Sequence, residues 1–579
     1  MACSLFQALL YGRPMDPELP LWAERAGTIL RTTSDPQLRA KVAPHLLNYY
    51  VWSDGDLPRA EALFHGMRSI TQERDISPIY RIAWHASAAG LQWMTAKTTE
   101  CIAETNLALS LADNAHVHGW DTRISACGVL AAVGDRHTEE ADSYFSRLDS
   151  THNPANPLDS GLYYLLKAGH HFVQNDLPRA REYLEQGLRC ARDAGYINGE
   201  ADCMTDLARV MYYQGEHVSA WDMLHDARLL ATRMRNHILE YQTWLTEAEF
   251  ALLAGDDAMC RDALNHSLSI ARRQHIRNHR WWRGDQMARL YARALDSGIE
   301  TEYVLGMIRQ SALQPPEEAR ESESWPFPFK VYTLGRFALV KEDQSLSVSG
   351  KAQSKPLELL KALIALGGRQ VGATHLSEIL WPDAEGDSAQ RAFDTTLHRL
   401  RRLFGSDQAL QLSDSKLSLN PALCWVDSWA FERLMGHLDL LLKQPAADVT
   451  HYDRITQMTR KLFALHHGPF LGREHVETWA IAPRERLDQR YLVLLGALGR
   501  YWETNSQWER AVETYQKAID VQFQSEEYYQ RLMQAYHHLG RTTEAAAVYQ
   551  RCRETLLATT GRLPSQATET IHRALDESH

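Results

Sequence analysis

The stretch RAFDTTLHRLRRLFG, residues 391–405, carries four arginines against one acid, Asp394. Its local charge is +3, inside a chain of 579 residues with a formal net charge of −11. Phe393, Leu397, Leu400 and Phe404 recur at helical spacing and form an apolar stripe, while Arg391, Thr395, His398, Arg399 and Arg402 fall mostly on the other side. Guanidinium and hydroxyl donors on one face of a helix can meet phosphates and base edges, so the chemistry suggested is nucleic-acid recognition. Little else in the chain competes with it. The pairs His116/His118, His170/His171 and His466/His467 have no Cys, Asp or third His at ligand spacing. They read as surface or packing histidines, and no metal is expected. The eight cysteines are scattered without a CxxC pair, which favours buried free thiols in a reducing compartment. No GxxxxGK[ST], GxSxG, HExxH or GxGxxG motif occurs, so no catalytic residue, no cofactor and no enzymatic activity are expected.

The basic stretch needs a frame to hold it. DSAQRAFDTTLHRLRRLFG (387–405) reads as one helix, with Asp387 as N-cap and Gly405 as its stop. Two further helices precede it, KPLELLKALIALGG (355–368) and THLSEILWP (374–382), the latter stopped by Pro382. FKVYTLGRFALVKEDQSLSVSG (329–350) alternates like short β-strands, and ALQLSDSKLSLN (409–420) like two strands around a Ser-Asp-Ser turn. Strands, three helices and a final hairpin are the order of a winged helix-turn-helix. With the ELL of the first helix, ILWPD at 379–383 and VYTLGRFAL at 331–339, the segment resembles the OmpR/PhoB-type DNA-binding domain of bacterial activators of the antibiotic-regulatory (AfsR/SARP-like) type. That resemblance implies Asp394, Thr395 and Arg399 at base edges in the major groove. It implies Arg391, Thr396, His398, Arg401 and Arg402 at phosphates. The hairpin departs from the family pattern: its Gly-aromatic ending is missing, and Lys416 is its one cation.

Upstream, a motif recurs. GDLPRAEALF begins at Gly55, GDRHTEEADSYF at Gly134, NDLPRAREYL at Asn175, GEHVSAWDML at Gly215 and GDDAMCRDAL at Gly255. The small residues closing them, Ala60, Ala141, Ala180, Ala220 and Cys260, lie at separations close to multiples of 40. A Gly or Asn ends one helix, an acid or Pro opens the next, and the small residue lets the two approach. A hairpin of this kind buries its apolar face only by stacking on neighbours. The run resembles a tetratricopeptide array of the maltose-regulator-like (MalT-like) form. Such arrays offer a groove to an effector or a protein. RIAWHASAAGLQW (81–93) and HIRNHRWWRGDQ (275–286) mix aromatics with His and Arg that suit a ligand or, equally, inter-helix packing.

Beyond VDSWAFERLM (426–435), Ala511 and Ala545 stand 34 residues apart, again a tetratricopeptide spacing. GPFL (468–471), Trp479, RERL (484–487), RLMQAY (531–536) and GRLPSQATE (561–569) closely resemble the bacterial transcriptional activator domain that follows the DNA reader in these regulators. That family implies contacts with RNA polymerase and dimerisation. The resulting fold is mainly α: a helical repeat array over 1–310, a linker at 311–328 rich in Pro, Glu and Ser, an α/β winged helix at 329–425, and a helical activator domain at 426–579. No run is long and apolar enough to span a membrane, and the N-terminus lacks signal-peptide design, so a cytoplasmic protein is expected. The reading is a sequence-specific transcriptional regulator, an activator, binding double-stranded DNA and sensing an unknown effector or protein through its repeats. A fragment of a larger ATPase-containing regulator, or an interaction scaffold with a degenerate DNA reader, stays open beside it.

Overall fold

The computed structural model describes residues 2–68, 75–134, 138–281, 283–346, 354–384, 386–444, 449–472 and 477–576. The chain is mainly α-helical and divides into two compact units, Met1–Gln314 and Pro315–His579.

The first unit is a tetratricopeptide-like solenoid of antiparallel helix pairs, preceded by helices at Ala2–Gly12 and Leu19–Thr32. Second helices of successive pairs begin at Leu57, Thr98, Thr138, Leu177, His217 and Asp257. Their small residues Ala60, Ala141, Ala180, Ala220 and Cys260 are all buried where the partner helix passes, as the period predicts. The caps follow the sequence logic: Asp56, Asp176 and Asp256 each accept a backbone N–H from the first turn they precede. One repeat escapes the motif. Cys101, fully buried, takes the small-residue place in the helix Thr98–Ala115, and Ala96 adopts the left-handed turn (φ +53°) that Gly55, Gly215 and Gly255 adopt elsewhere. A residue with a Cβ does this at some strain, so composition alone conceals the turn. Of the motif opening at Gly134, residues 135–137 lie outside the described residues.

In the second unit, a four-stranded sheet runs in the order Gln344–Ser345, Ala338–Lys341, Phe329–Tyr332, Cys424–Val426, the last pair parallel. Helices Ser354–Ala365, Ala373–Leu380 and Gly386–Phe404 follow the first strands, and then come the paired strands Leu410–Ser413 and Lys416–Leu419. The short strand Val371–Gly372 joins this hairpin, pairing with Leu417 and Lys416. Neither it nor Cys424–Val426 is long enough to show an alternating pattern in the sequence. Residues 347–350 of the segment read as strands lie outside the described residues. Asp427 binds the sheet to the helix it opens: its buried carboxylate accepts from Thr333 N and Oγ1, Leu334 N and Ser428 N at 2.6–2.9 Å.

The segment 311–328 differs from the linker expected of it. From Pro315 the chain packs within the second unit. Glu318–Glu321 forms a 3-10 turn, and Ala319, Trp325 and Phe327 are buried. The three apolar residues hold down a segment whose composition otherwise favours solvent.

Candidate nucleic-acid interface

Helix Gly386–Phe404 has the two faces its sequence promised. Phe393, Leu397, Leu400 and Phe404 are buried in the core, with the Phe404 ring 4.7 Å from that of Phe329. The helix packs on Ser354–Ala365 and on Ala373–Leu380, which sets its outward side. Arg391, Asp394, Thr395, His398, Arg399 and Arg402 are exposed. Asp387, expected as N-cap, lies inside the first turn, where its charge suits the positive helix end. Gly405 closes the helix in the left-handed conformation, φ +68°.

Two residues depart from the phosphate-contacting role. Thr396 is buried at 6% exposure, because its place in the helical turn falls between Phe393 and Leu400 on the packed side. Arg401 is half-buried and donates from Nε (3.3 Å) and Nη2 (3.0 Å) to the carbonyl of Leu410, tying the helix end to the hairpin strand. The remaining polar face is lightly committed. Asp394 accepts from Gln390 at 3.1 Å and the Thr395 hydroxyl donates to Arg391 O at 2.9 Å. Among the described residues, Arg391, Arg399 and Arg402 have no ion pair. The guanidinium charges therefore face solvent uncompensated, which is the arrangement that attracts a polyanion. At the hairpin tip Asp414 (φ +49°) and Ser415 (φ +58°) form a two-residue turn of the I′ kind, and Lys416 follows it exposed.

The repeat array contains a partly enclosed cavity of about 150 Å³. It exists because the array closes on itself: Asn198 and Asn236 side chains donate to Trp52 O, and Asn278 donates to Trp93 O. Tyr11, Trp52, Trp120, Tyr196 and Trp281 supply aromatic lining. The Arg123 guanidinium lies 4.5 Å from the Tyr11 ring centroid and has no ion pair among the described residues. Burial pushes the Asp159 carboxyl up, opposed by Arg123. Arg280 is held by Asp202 at 2.5 Å and by Gln242 at 2.9 Å. Trp281 donates to Asp206 at 2.8 Å and lies against Gly169, where a Cβ would stand 2.0 Å from its ring. Of the two aromatic stretches noted in the sequence, Trp281 lines this cavity, while Trp84 and Trp93 are packing residues stacked on Phe64 and Trp52. Trp282 lies outside the described residues. Arg123 and Trp120 carried no motif that could have marked them.

Among the described residues no cluster of three metal-ligating side chains occurs, and no helix is long and apolar enough to cross a membrane.

Comparison with known proteins adds three findings. No curated protein matches this chain. Among solved structures, Mycobacterium tuberculosis EmbR in complex with a low-affinity phosphopeptide is similar at 17% identity and a TM-score of 0.32, over 44% of this chain and 66% of that one. A Rap protein complexed with competence and sporulation factor is similar at 10% identity and a TM-score of 0.39, over 70% of this chain and 98% of that one. Human IFIT1 with a capped oligoadenylate is similar at 13% identity and a TM-score of 0.26, over 93% and 95%. Residues 426–576 match the bacterial transcriptional activator domain.

Proposed function

We propose that this chain is a sequence-specific DNA-binding transcriptional activator of the antibiotic-regulatory type. Its helix Gly386–Phe404 reads the major groove as part of a winged helix. The observation that carries this reading is the unpaired cationic face of Arg391, Arg399 and Arg402, presented by a helix whose opposite side is core, ahead of an activator domain at 426–576. Arg399, with Asp394 and Thr395, addresses base edges; Arg391, His398 and Arg402 address phosphates, with Lys416 beside the hairpin tip. Thr396 and Arg401 hold the helix in place. The repeat array senses a small effector in the Arg123 cavity or a protein partner, and the activator domain meets RNA polymerase and supports a dimer on DNA. Chemistry is absent from this role, so purified chain is expected to turn over no nucleotide.

The test is selection of bound duplexes from a random pool at near-physiological salt, with the whole chain and Arg399→Ala in parallel. Enrichment of one motif by the wild type, lost or relaxed in the variant, supports the reading. A wild type that enriches nothing, with and without effector-containing extract, refutes it.

A further inference from the structure

Within the second unit, five arginines from four segments converge on one basin. Arg320 comes from the 3-10 turn Glu318–Glu321, Arg369 from the turn after helix Ser354–Ala365, and Arg433 from helix Asp427–Lys443. Arg486 and Arg490 come from successive turns of helix Thr478–Thr504. The basin holds about 440 Å³, and its lining includes two carboxylates, Glu317 and Glu432. Cations therefore outnumber anions there by three. The acids offset the group only in part: Glu432 reaches Arg490 at 4.0 Å, and Glu321, next to Arg320, is paired with His437 at 2.6 Å.

The polar groups are also short of partners. Arg433 spends one N–H on Arg320 O at 2.5 Å, but its Nε is buried without an acceptor, as are Arg320 Nε and the indole Nε1 of Trp429. Burial, and then the neighbouring charges of Arg320 and Arg369, pull the Arg433 guanidinium below its ordinary range, opposed in part by Glu321 and Glu317. The end of helix Ser354–Ala365 does not supply the missing acceptors in full, since Gly367 N and Gly368 N take the carbonyls of Ile364 and Leu363. The scaffold is fixed: Gly368 (φ +70°) lies so close to Trp429 that a Cβ would stand 1.9 Å from its ring. Like charges held together on a rigid frame, with donors unanswered, are costly unless an anion completes them. Arginine forks suit phosphate oxygens best, because each fork can place two parallel N–H bonds on one group.

We infer that this basin binds a phosphate-bearing anion of two or more charges, a diphosphate group or adjoining phosphodiesters. It couples the segment before the DNA reader, the turn after the reader's first helix and the activator domain, all of which contribute an arginine. This site is separate from the Arg391–Arg402 face and does not rest on it.

The probe is sodium pyrophosphate added to the full chain at fixed ionic strength, read by titration calorimetry and by thermal unfolding. Saturable one-to-one binding is expected, with a rise in melting temperature that sodium chloride does not reproduce. Arg433→Gln is a poor first variant, since Arg433 also binds the backbone of Arg320. Arg369 and Arg486 are exposed and carry no ion pair among the described residues, so Arg369→Gln with Arg486→Gln is expected to leave folding intact. The double variant is expected to weaken pyrophosphate at least about tenfold, and the corresponding double lysine variant to recover part of the loss. Two arms separate the sources. If pyrophosphate displaces duplex DNA and the glutamine variant weakens duplex binding equally, the natural occupant is a DNA backbone. If duplex binding is unchanged, it is a free small anion. Either supports the site. Absence of saturable binding at millimolar pyrophosphate, or equal binding by wild type and the glutamine variant, overturns it, whatever Arg399→Ala does to DNA selection.

Discussion

Arg401 and Arg402 are adjacent in sequence and opposite in expected effect. Arg402 is exposed and unpaired among the described residues. Replacing it with alanine removes no intramolecular bond, so folding stability should change by less than about 0.5 kcal/mol. If it meets one phosphate, the slope of log K against log salt should fall by about 0.9. Arg401 places two N–H groups on Leu410 O at 3.3 and 3.0 Å, a bifurcated charge-assisted bond from helix end to hairpin strand. Losing it costs about 1.5–3 kcal/mol and leaves the Leu410 carbonyl in search of another donor. The Arg401→Ala chain should therefore melt lower but, at temperatures where it is fully folded, retain the wild-type salt slope. The assay pairs denaturant unfolding with fluorescence-anisotropy titrations of a selected duplex at four or more salt concentrations. An Arg401→Ala chain of unchanged stability whose slope drops by about one would refute the reasoning, since the guanidinium would then be serving DNA.

Further outcomes follow from the same structure. Phe393→Ala, at a fully buried position, should cost about 3–5 kcal/mol in denaturant unfolding, whereas Arg399→Ala changes stability little and DNA discrimination by about 1–3 kcal/mol. Arg209 and Glu249 form a buried pair at 3.1 Å, with Tyr213 donating to the same carboxylate, so Glu249→Ala should lose about 3–5 kcal/mol by stranding the guanidinium; a loss below about 1 kcal/mol in calorimetric melting would contradict this. His466, stacked near Phe431 and Tyr491, is pulled down to about 4 by burial, then by Lys517 and His467. Because its folded value lies below that of the unfolded chain, the unfolded state binds more protons between roughly pH 6.5 and 4, and stability falls as pH drops through that window. The His466 contribution at pH 5 is a loss of about 2 kcal/mol relative to pH 7, to be read as the difference between the pH profiles of wild type and His466→Phe. Equal profiles would remove His466 as the cause.

Much of this protein is legible along the chain because the relevant physics is local. Helical spacing alone puts Phe393, Leu397, Leu400 and Phe404 on one side of residues 391–405 and leaves Arg391, Arg399 and Arg402 on the other. A 40-residue recurrence of turn, cap and small residue announces the solenoid, since each pair must repeat the same close approach. Where the local signal is weak, the sequence falls silent: Ala96 turns without glycine, Cys101 replaces alanine, and Phe327 and Trp325 anchor a segment that reads as solvent-loving. Helical spacing also leaves residues at the boundary between faces undecided, and only packing turned Thr396 inward and gave Arg401 to the Leu410 carbonyl. Nor does any local pattern join Arg123 to Trp281, or Arg320 to Arg490. Those meetings depend on how helices stack and on a chain that returns to itself over more than a hundred residues, and only the tertiary structure sets which side chains arrive at the same place.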